Sequence, residues 1–226
     1  MIKENILKIK EYLSNLHIDS QAIVVIAISK NRPIEQIKQA IEAGITDIGE
    51  NKVQEAVSKY NAMRYALCGK PIRWHMVGHL QANKIKQAVK IFDLIHSVDT
   101  LRLAEEINKQ AAKINKIQDI LIEVNTSGET TKFGFKPEEA IAAVRQIAGL
   151  KNVNLKGLMT VAPIVDSPEQ ARPYFKLLRE LREQINTLHI TRYTLHILSM
   201  GMTDDFAAAI QEGANMLRLG RAIFEA

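Results

Sequence analysis

The chain has 226 residues, is 46% hydrophobic and 24% charged, and carries a formal net charge of +5. A chain of that length can bury a full core without covalent staples, and its composition is that of an ordinary globular protein. The lone cysteine, Cys68, excludes an intramolecular disulfide and fits a reduced, cytoplasmic setting. Cys68 has no cluster of ligand residues around it, so it reads as a passenger and not as a nucleophile. The N-terminus lacks the apolar core of a signal peptide, and no apolar run reaches the length of a membrane span. The basic residues are spread along the chain and aromatic residues are only 5%, so neither a nucleic-acid surface nor a membrane contact is expected. The mild positive field favours a small anionic ligand.

The first predicted element is a helix over residues 2 to 17, from the spacing of Ile2, Ile6, Ile9, Leu13 and Leu16. Next comes Ile23-Val24-Val25-Ile26-Ala27-Ile28-Ser29-Lys30. Its unbroken, mostly β-branched start is the pattern of a strand buried on both faces. Lys30 then falls at or just past the carboxyl end of that strand. Pro33 opens a helix through Ile34, Ile37 and Ile41, with Gly44 as its C-terminal cap. Thr46 to Gly49 reads as a second strand, and Val53 to Leu67 as a helix. Arg73 to Val77 is a third strand, followed by a short helix from about Gln81 to Val89.

Phe92 to His96 is the fourth strand, with Asp99 expected as N-cap of the next helix. Asp119 to Val124 is the fifth strand. Residues 126 to 136 form a polar loop, and Pro137 starts a helix closed by Gly149. Val153 to Met159 is the sixth strand. Ser167, Pro168 and Gln170 mark a capped helix start. Thr194 to Leu198 is the seventh strand, Thr203-Asp204-Asp205 opens a short helix, and Asn215 to Leu219 is the eighth strand. Eight βα units in one run, with no linker or composition shift, predict an α/β fold. The expected form is a single (β/α)8 TIM-type barrel over residues 1–226, with an extra N-terminal helix to close its bottom. An open doubly wound sheet is the alternative; the absence of G-x-G-x-x-G after the first strand argues against it.

In such a barrel the strand ends share one mouth, where ligands bind. They would gather Lys30, Glu50 and Asn51, His75 and His79, Ser97 and Asp99, Asn125 and Lys132, Ser199, and Arg218 to Arg221. A partly desolvated lysine at that edge is a candidate nucleophilic amine. Ser199-Met200-Gly201 leads into a helix N-terminus, and Gly220-Arg221 follows the last strand. Together these make a phosphate cradle of backbone N–H groups and a hydroxyl. His75 and His96 read as satisfied core histidines, and Glu50 as a helix-start acid. No His/Asp/Glu spacing matches a metal site. An amine and a phosphate cradle at one mouth suggest a phosphorylated carbonyl compound held as an imine. Two ligand classes remain open, pyridoxal 5′-phosphate and a sugar or triose phosphate of the aldolase type.

Several segments resemble the pyridoxal phosphate homeostasis family, whose fold resembles the barrel domain of alanine racemase. They are Ala27-Ile28-Ser29-Lys30, Gly49-Glu50-Asn51-Lys52-Val53-Gln54-Glu55, and the run from Trp74 to Lys84. Ser97-Val98-Asp99, Val124-Asn125 with Lys132-Phe133-Gly134, Gly157-Leu158-Met159, the run from Leu198 to Asp204, and Arg218-Leu219-Gly220 complete the set. The resemblance spans nearly the whole chain. It implies a Schiff base between Lys30 and pyridoxal 5′-phosphate. Ser199, Gly220 and the backbone of Arg221 would hold the phosphate, Arg218 would face the ring nitrogen, and Asn51 would line the pocket. A permanent cation beside that nitrogen opposes its protonation and weakens the ring as an electron sink.

The chain ends soon after the eighth strand, so a second domain bringing a catalytic tyrosine is not expected. The implied function is storage and delivery of the cofactor, with effects on amino- and keto-acid balance and no established turnover. Pyridoxal-dependent apo-enzymes are the implied partners, and the protein is expected to act as a monomer. The alternative is a small racemase-like enzyme using Lys30 as base. Arg221, Lys52 and Glu225 depart from the family pattern, and bear on affinity and access to the pocket.

Overall fold

The computed structural model describes residues 1–16, 23–63, 71–192 and 194–225. Cys68 and the predicted helical extension to Leu67 lie outside those residues, as does His17. Eight parallel strands close into a barrel in chain order. They are β1 (Val24–Ile28), β2 (Asp47–Glu50), β3 (Arg73–Met76), β4 (Leu94–Val98), β5 (Gln118–Glu123), β6 (Val153–Met159), β7 (Ile197–Ser199) and β8 (Met216–Leu219). The helices are α1 (Ile2–Asn15), α2 (Ile34–Glu42), α3 (Val53–Met63), α4 (Ile85–Ile91), α5 (Leu101–Ala112), α6 (Pro137–Ala148), α7 (Pro168–Thr187), α8 (Phe206–Gln211) and α9 (Arg221–Phe224). None of these is long and apolar enough to cross a membrane. The open-sheet alternative fails because β1 pairs with β8 as well as with β2.

The period-2 and period-3.6 patterns explain the layers. The main core lies between sheet and helices, where Ile37, Ile48, Ile95, Ile122, Val144, Leu158 and Phe175 are all buried. A smaller cluster of Ile26, Leu94, Leu121, Met159 and Met216 fills part of the barrel interior. The rest of that interior is polar, as described below. Helix α1 buries Ile2, Ile6, Ile9 and Leu13. It packs alongside α2 and α9, and Asn5 donates to the carbonyls of Ile223 and Glu225. It sits in the outer ring beside α2 and α9, and its Ile6, Ile9 and Leu13 also line a cavity with Val24, Asp47 and Arg73 at the bottom end of the strands.

Local differences from the sequence expectation have identifiable causes. Strand β4 starts at Leu94 because Phe92 and Asp93 form the preceding turn. There Asp93 exchanges backbone and side-chain bonds with Trp74 of β3. The N-cap of α5 is Thr100, whose Oγ1 accepts from the N–H of Leu103, because Asp99 turns instead to His79 at 3.0 Å. Before α7 the Gln170 side chain accepts from the N–H of Asp166 and not from Ser167, so the expected capping box is not made. Glu50 ends a strand instead of starting a helix. The short helix α9 was not expected.

Gly157 and Gly78 are among the glycines dictated by close approach. A Cβ on Gly157 would lie 2.0 Å from the carbonyl oxygen of Ile197 across the β6–β7 ladder. A Cβ on Gly78 would lie 2.5 Å from the carbonyl oxygen of Asn51. Gly78 thus lets the β3 end sit against the segment that carries Asn51.

Candidate functional site at the barrel mouth

Lys30 lies two residues past β1, in the turn Ser29-Lys30-Asn31, and its side chain is exposed. The partial desolvation expected of it is not present, because the strand ends earlier and lifts the lysine into the open mouth. The turn itself is held from beneath. Lys59 of α3 is buried, and its Nζ donates to the Ser29 carbonyl, to Glu50 Oε1 at 2.7 Å and to Glu55 Oε1 at 2.7 Å. Ser29 Oγ also donates to Glu50, and the Asn31 N–H donates to Glu55 at 2.7 Å. Both neighbours of Lys30 are therefore tied to one buried cation. Asn31 adopts φ of 57°, a left-handed conformation that asparagine tolerates. Burial raises the Glu50 carboxyl above its ordinary value, although Lys59 and Ser29 oppose the shift. Lys59 was missed in the sequence. The signal was its place on the buried arc of α3, three residues after Ala56 and four before Met63.

Lys30 and Asn51 line one cleft together with Lys52, Gln54, Gly78, His79 and Lys84. Among the described residues, the lining of that cleft is rich in cations and has no carboxylate. Gly220 follows β8, the neighbour of β1, and its nearest contact would be Ile28 Cβ at 3.6 Å from an added Cβ. Its φ of −108° demands no glycine either. A Cβ there would make only ordinary van der Waals contact with Ile28, so neither close packing nor backbone conformation among the described residues calls for the glycine, which suits a turn that receives an incoming group. Arg221 opens α9, and its side chain turns outward to an ion pair with Asp204, so only its backbone faces that turn.

Arg218 is buried in the barrel interior, with Nη1 donating to Ser199 Oγ at 2.7 Å and Nη2 to the Thr160 carbonyl at 2.8 Å. Burial pulls the guanidinium down to about 10, with Asp205 and Glu123 pulling the other way. Ser199 is also fully buried, and its hydroxyl faces His96 Nδ1 at 2.9 Å. That hydroxyl accepts from Arg218 and has His96 as its second partner. The structure brings Ser199 and Arg218 together, and the hydroxyl expected at the phosphate is bonded to the arginine. His75 and His96 are satisfied core histidines as the sequence suggested, 2.9 Å apart and buried.

Glu123, at the end of β5, was not singled out in the sequence. Its carboxyl is pushed up to about 7 by burial and by Asp99, with Arg218 opposing. Lys132, by contrast, pairs with Glu129 at 3.1 Å within its own loop.

The arrangement offers an accessible amine, a buried cation deeper in the same barrel, and a glycine turn beside both. Comparison with known proteins decides which group it suits. The profile "Alanine racemase, N-terminal domain" matches residues 1–226. A protein of Aquifex aeolicus (strain VF5) named "Pyridoxal phosphate homeostasis protein" is 42% identical over 200 residues, covering 88% of this chain and 85% of that one. The chain belongs to the pyridoxal phosphate homeostasis protein family. A solved family member, PipY of Synechococcus elongatus PCC7942 with PLP bound, superposes with a TM-score of 0.87 at 30% identity. The match covers 99% of this chain and 100% of PipY. Alanine racemase of Clostridium difficile 630 superposes with a TM-score of 0.75 at 16% identity over 98% of this chain and 55% of its own, a likeness of fold.

Proposed function

We propose that this chain binds pyridoxal 5′-phosphate on Lys30 and holds and delivers it within the cell, without turning over a substrate. The observation that carries the reading is the pairing of an exposed lysine at the β1 end with a buried, doubly anchored arginine on the adjacent strand β8. When bound, the cofactor supplies an aldehyde that an amine can capture. Lys30, exposed at the β1 end, would provide that amine. The tether from Lys59 through Ser29 and Asn31 holds the lysine's backbone in place. Arg218 would meet the ring nitrogen and, as a cation fixed by Ser199 and Thr160, would disfavour its protonation. The backbone of Gly220 and Arg221 would receive the phosphate at the opening of α9, and Ser199 would hold Arg218 in place. Asn51 and the lysines of its cleft line the way out. Storage and release to pyridoxal-dependent apo-enzymes follow from an open mouth and a ring kept unprotonated.

A cofactor titration followed by visible absorbance tests this. The wild-type chain should turn yellow at a stoichiometry of one, and Lys30→Ala should stay colourless. A colourless wild type would sink the reading. Steady exchange of the α-hydrogen of alanine, abolished by Lys30→Ala, would replace the carrier role with an enzymatic one.

A further inference from the structure

A connected chain of buried polar groups runs through the barrel interior on β8, β7, β4, β3 and β2. An arginine side chain only donates hydrogen bonds. Arg218 Nη1 lies 2.7 Å from Ser199 Oγ, so that oxygen accepts there. Its single hydrogen must go to its other neighbour, His96 Nδ1, at 2.9 Å. That nitrogen therefore carries a lone pair, and His96 holds its hydrogen on Nε2. From Nε2 it donates to His75 Nδ1 at 2.9 Å. By the same step His75 holds its hydrogen on Nε2 and donates to Asp47 Oδ1 at 2.8 Å. Asp47 accepts further bonds from Thr46 at 2.6 Å and from Arg73 at 3.0 Å.

Every bond in the chain points the same way, from a cation at the mouth end to a carboxylate at the start of β2. The surroundings support this order. His96 is fully buried, and burial, His75 and Arg218 together hold its ring well below the ordinary value, so it is neutral. Burial alone would raise the Asp47 carboxyl, but bonds from His75, Thr46 and Arg73 outweigh it, so Asp47 stays ionised. The charged groups that face the chain from other elements are Glu123 on β5 and Asp205 before α8, both acting on Arg218, and Arg73 on Asp47.

We propose that Asp47, His75 and His96 are positioning residues of the ligand site, acting through Ser199 to hold Arg218 charged and aimed at the ring nitrogen of bound pyridoxal phosphate. This rests on the cofactor reading above. With Nη2 fixed on Thr160 and Nη1 on Ser199, the guanidinium has one orientation. The aligned bonds carry the Asp47 charge toward it. Cutting the chain at His96 frees the Ser199 hydroxyl to rotate, and its hydrogen becomes a second, competing donor in the mouth.

The test uses the full chain loaded with pyridoxal phosphate labelled with nitrogen-15 in the ring. The ring-nitrogen NMR shift is followed from mildly acidic to mildly alkaline pH beside the cofactor affinity. Wild type should show an unprotonated, hydrogen-bonded ring nitrogen throughout. His96→Leu should give a shift that titrates within that range, with binding about tenfold weaker, as loss of one orienting hydrogen bond to a charged group implies. His96→Gln, which offers an acceptor and a donor on one planar amide, should restore the wild-type shift. If His96→Leu does not fold, Ser199→Ala cuts the same chain by removing one oxygen and should give the same change. Cofactor-loaded His96→Leu or Ser199→Ala with an unchanged ring-nitrogen profile would overturn the positioning role alone. A wild type that takes up no cofactor would overturn the ligand assignment, and this role with it.

Discussion

Replacing Glu123 by glutamine should make the chain more stable at neutral and alkaline pH while leaving it unchanged in acid. The residue ends β5, half-buried at the mouth. Burial disfavours its charge, Asp99 adds repulsion, and Arg218 recovers only part of the loss, so the carboxyl titrates near about 7 instead of 4.5. The folded chain therefore holds this proton more tightly than the unfolded chain does. Stability linked to it is fully present below 4.5 and is lost as the pH rises from there through about 7. At about 1.4 kcal/mol for each pH unit between the two values, the loss comes to roughly 3 kcal/mol. Glutamine keeps the shape and removes the ionisation. Urea unfolding of both chains across that pH range measures the difference. It should be near zero in acid and rise to about 3 kcal/mol in favour of Glu123→Gln above neutrality. A difference that stays flat with pH would refute the burial argument. A carboxyl kept at such a cost beside Arg218 is what functional mouths tend to hold.

Other outcomes follow from the same geometry. Lys59→Met leaves the Glu50 carboxylate buried without its cation, and urea unfolding should show a loss of about 3–5 kcal/mol. The same variant should also slow the appearance of cofactor colour, because the turn carrying Lys30 loses its tether. Gly157→Ala drives a methyl group into the Ile197 carbonyl, so the β6–β7 ladder must open. Thermal melting should show a loss of several kcal/mol, of the order of a large core defect. Gly149→Ala, where the nearest atom would be 3.4 Å away and φ is −78°, serves as the benign control.

The barrel was legible because its strands are short runs of apolar residues separated by helices with clear amphipathic spacing. The placement of Lys30, Asn51, Arg218 and Gly220 at or near strand ends was legible for a related reason: closure of the barrel gathers those ends. What the sequence hid were partnerships across the barrel. Nothing local to His75 indicates that it bridges Asp47, 28 positions away, and His96. Nothing local to Ser199 indicates that its hydroxyl is spent on Arg218 and His96. The exposure of Lys30 was misjudged because the ladder stops at Ile28 and not at the lysine. Local competition explains the misplaced caps: Asp99 is taken by His79, which leaves Thr100 to cap α5.

The most direct measurement is chemical. The cofactor complex is reduced with borohydride, digested, and mapped by mass spectrometry for the lysine that carries the pyridoxyl group. The account predicts the label on Lys30. Label on Lys52, Lys84 or Lys132 in place of Lys30 would contradict it.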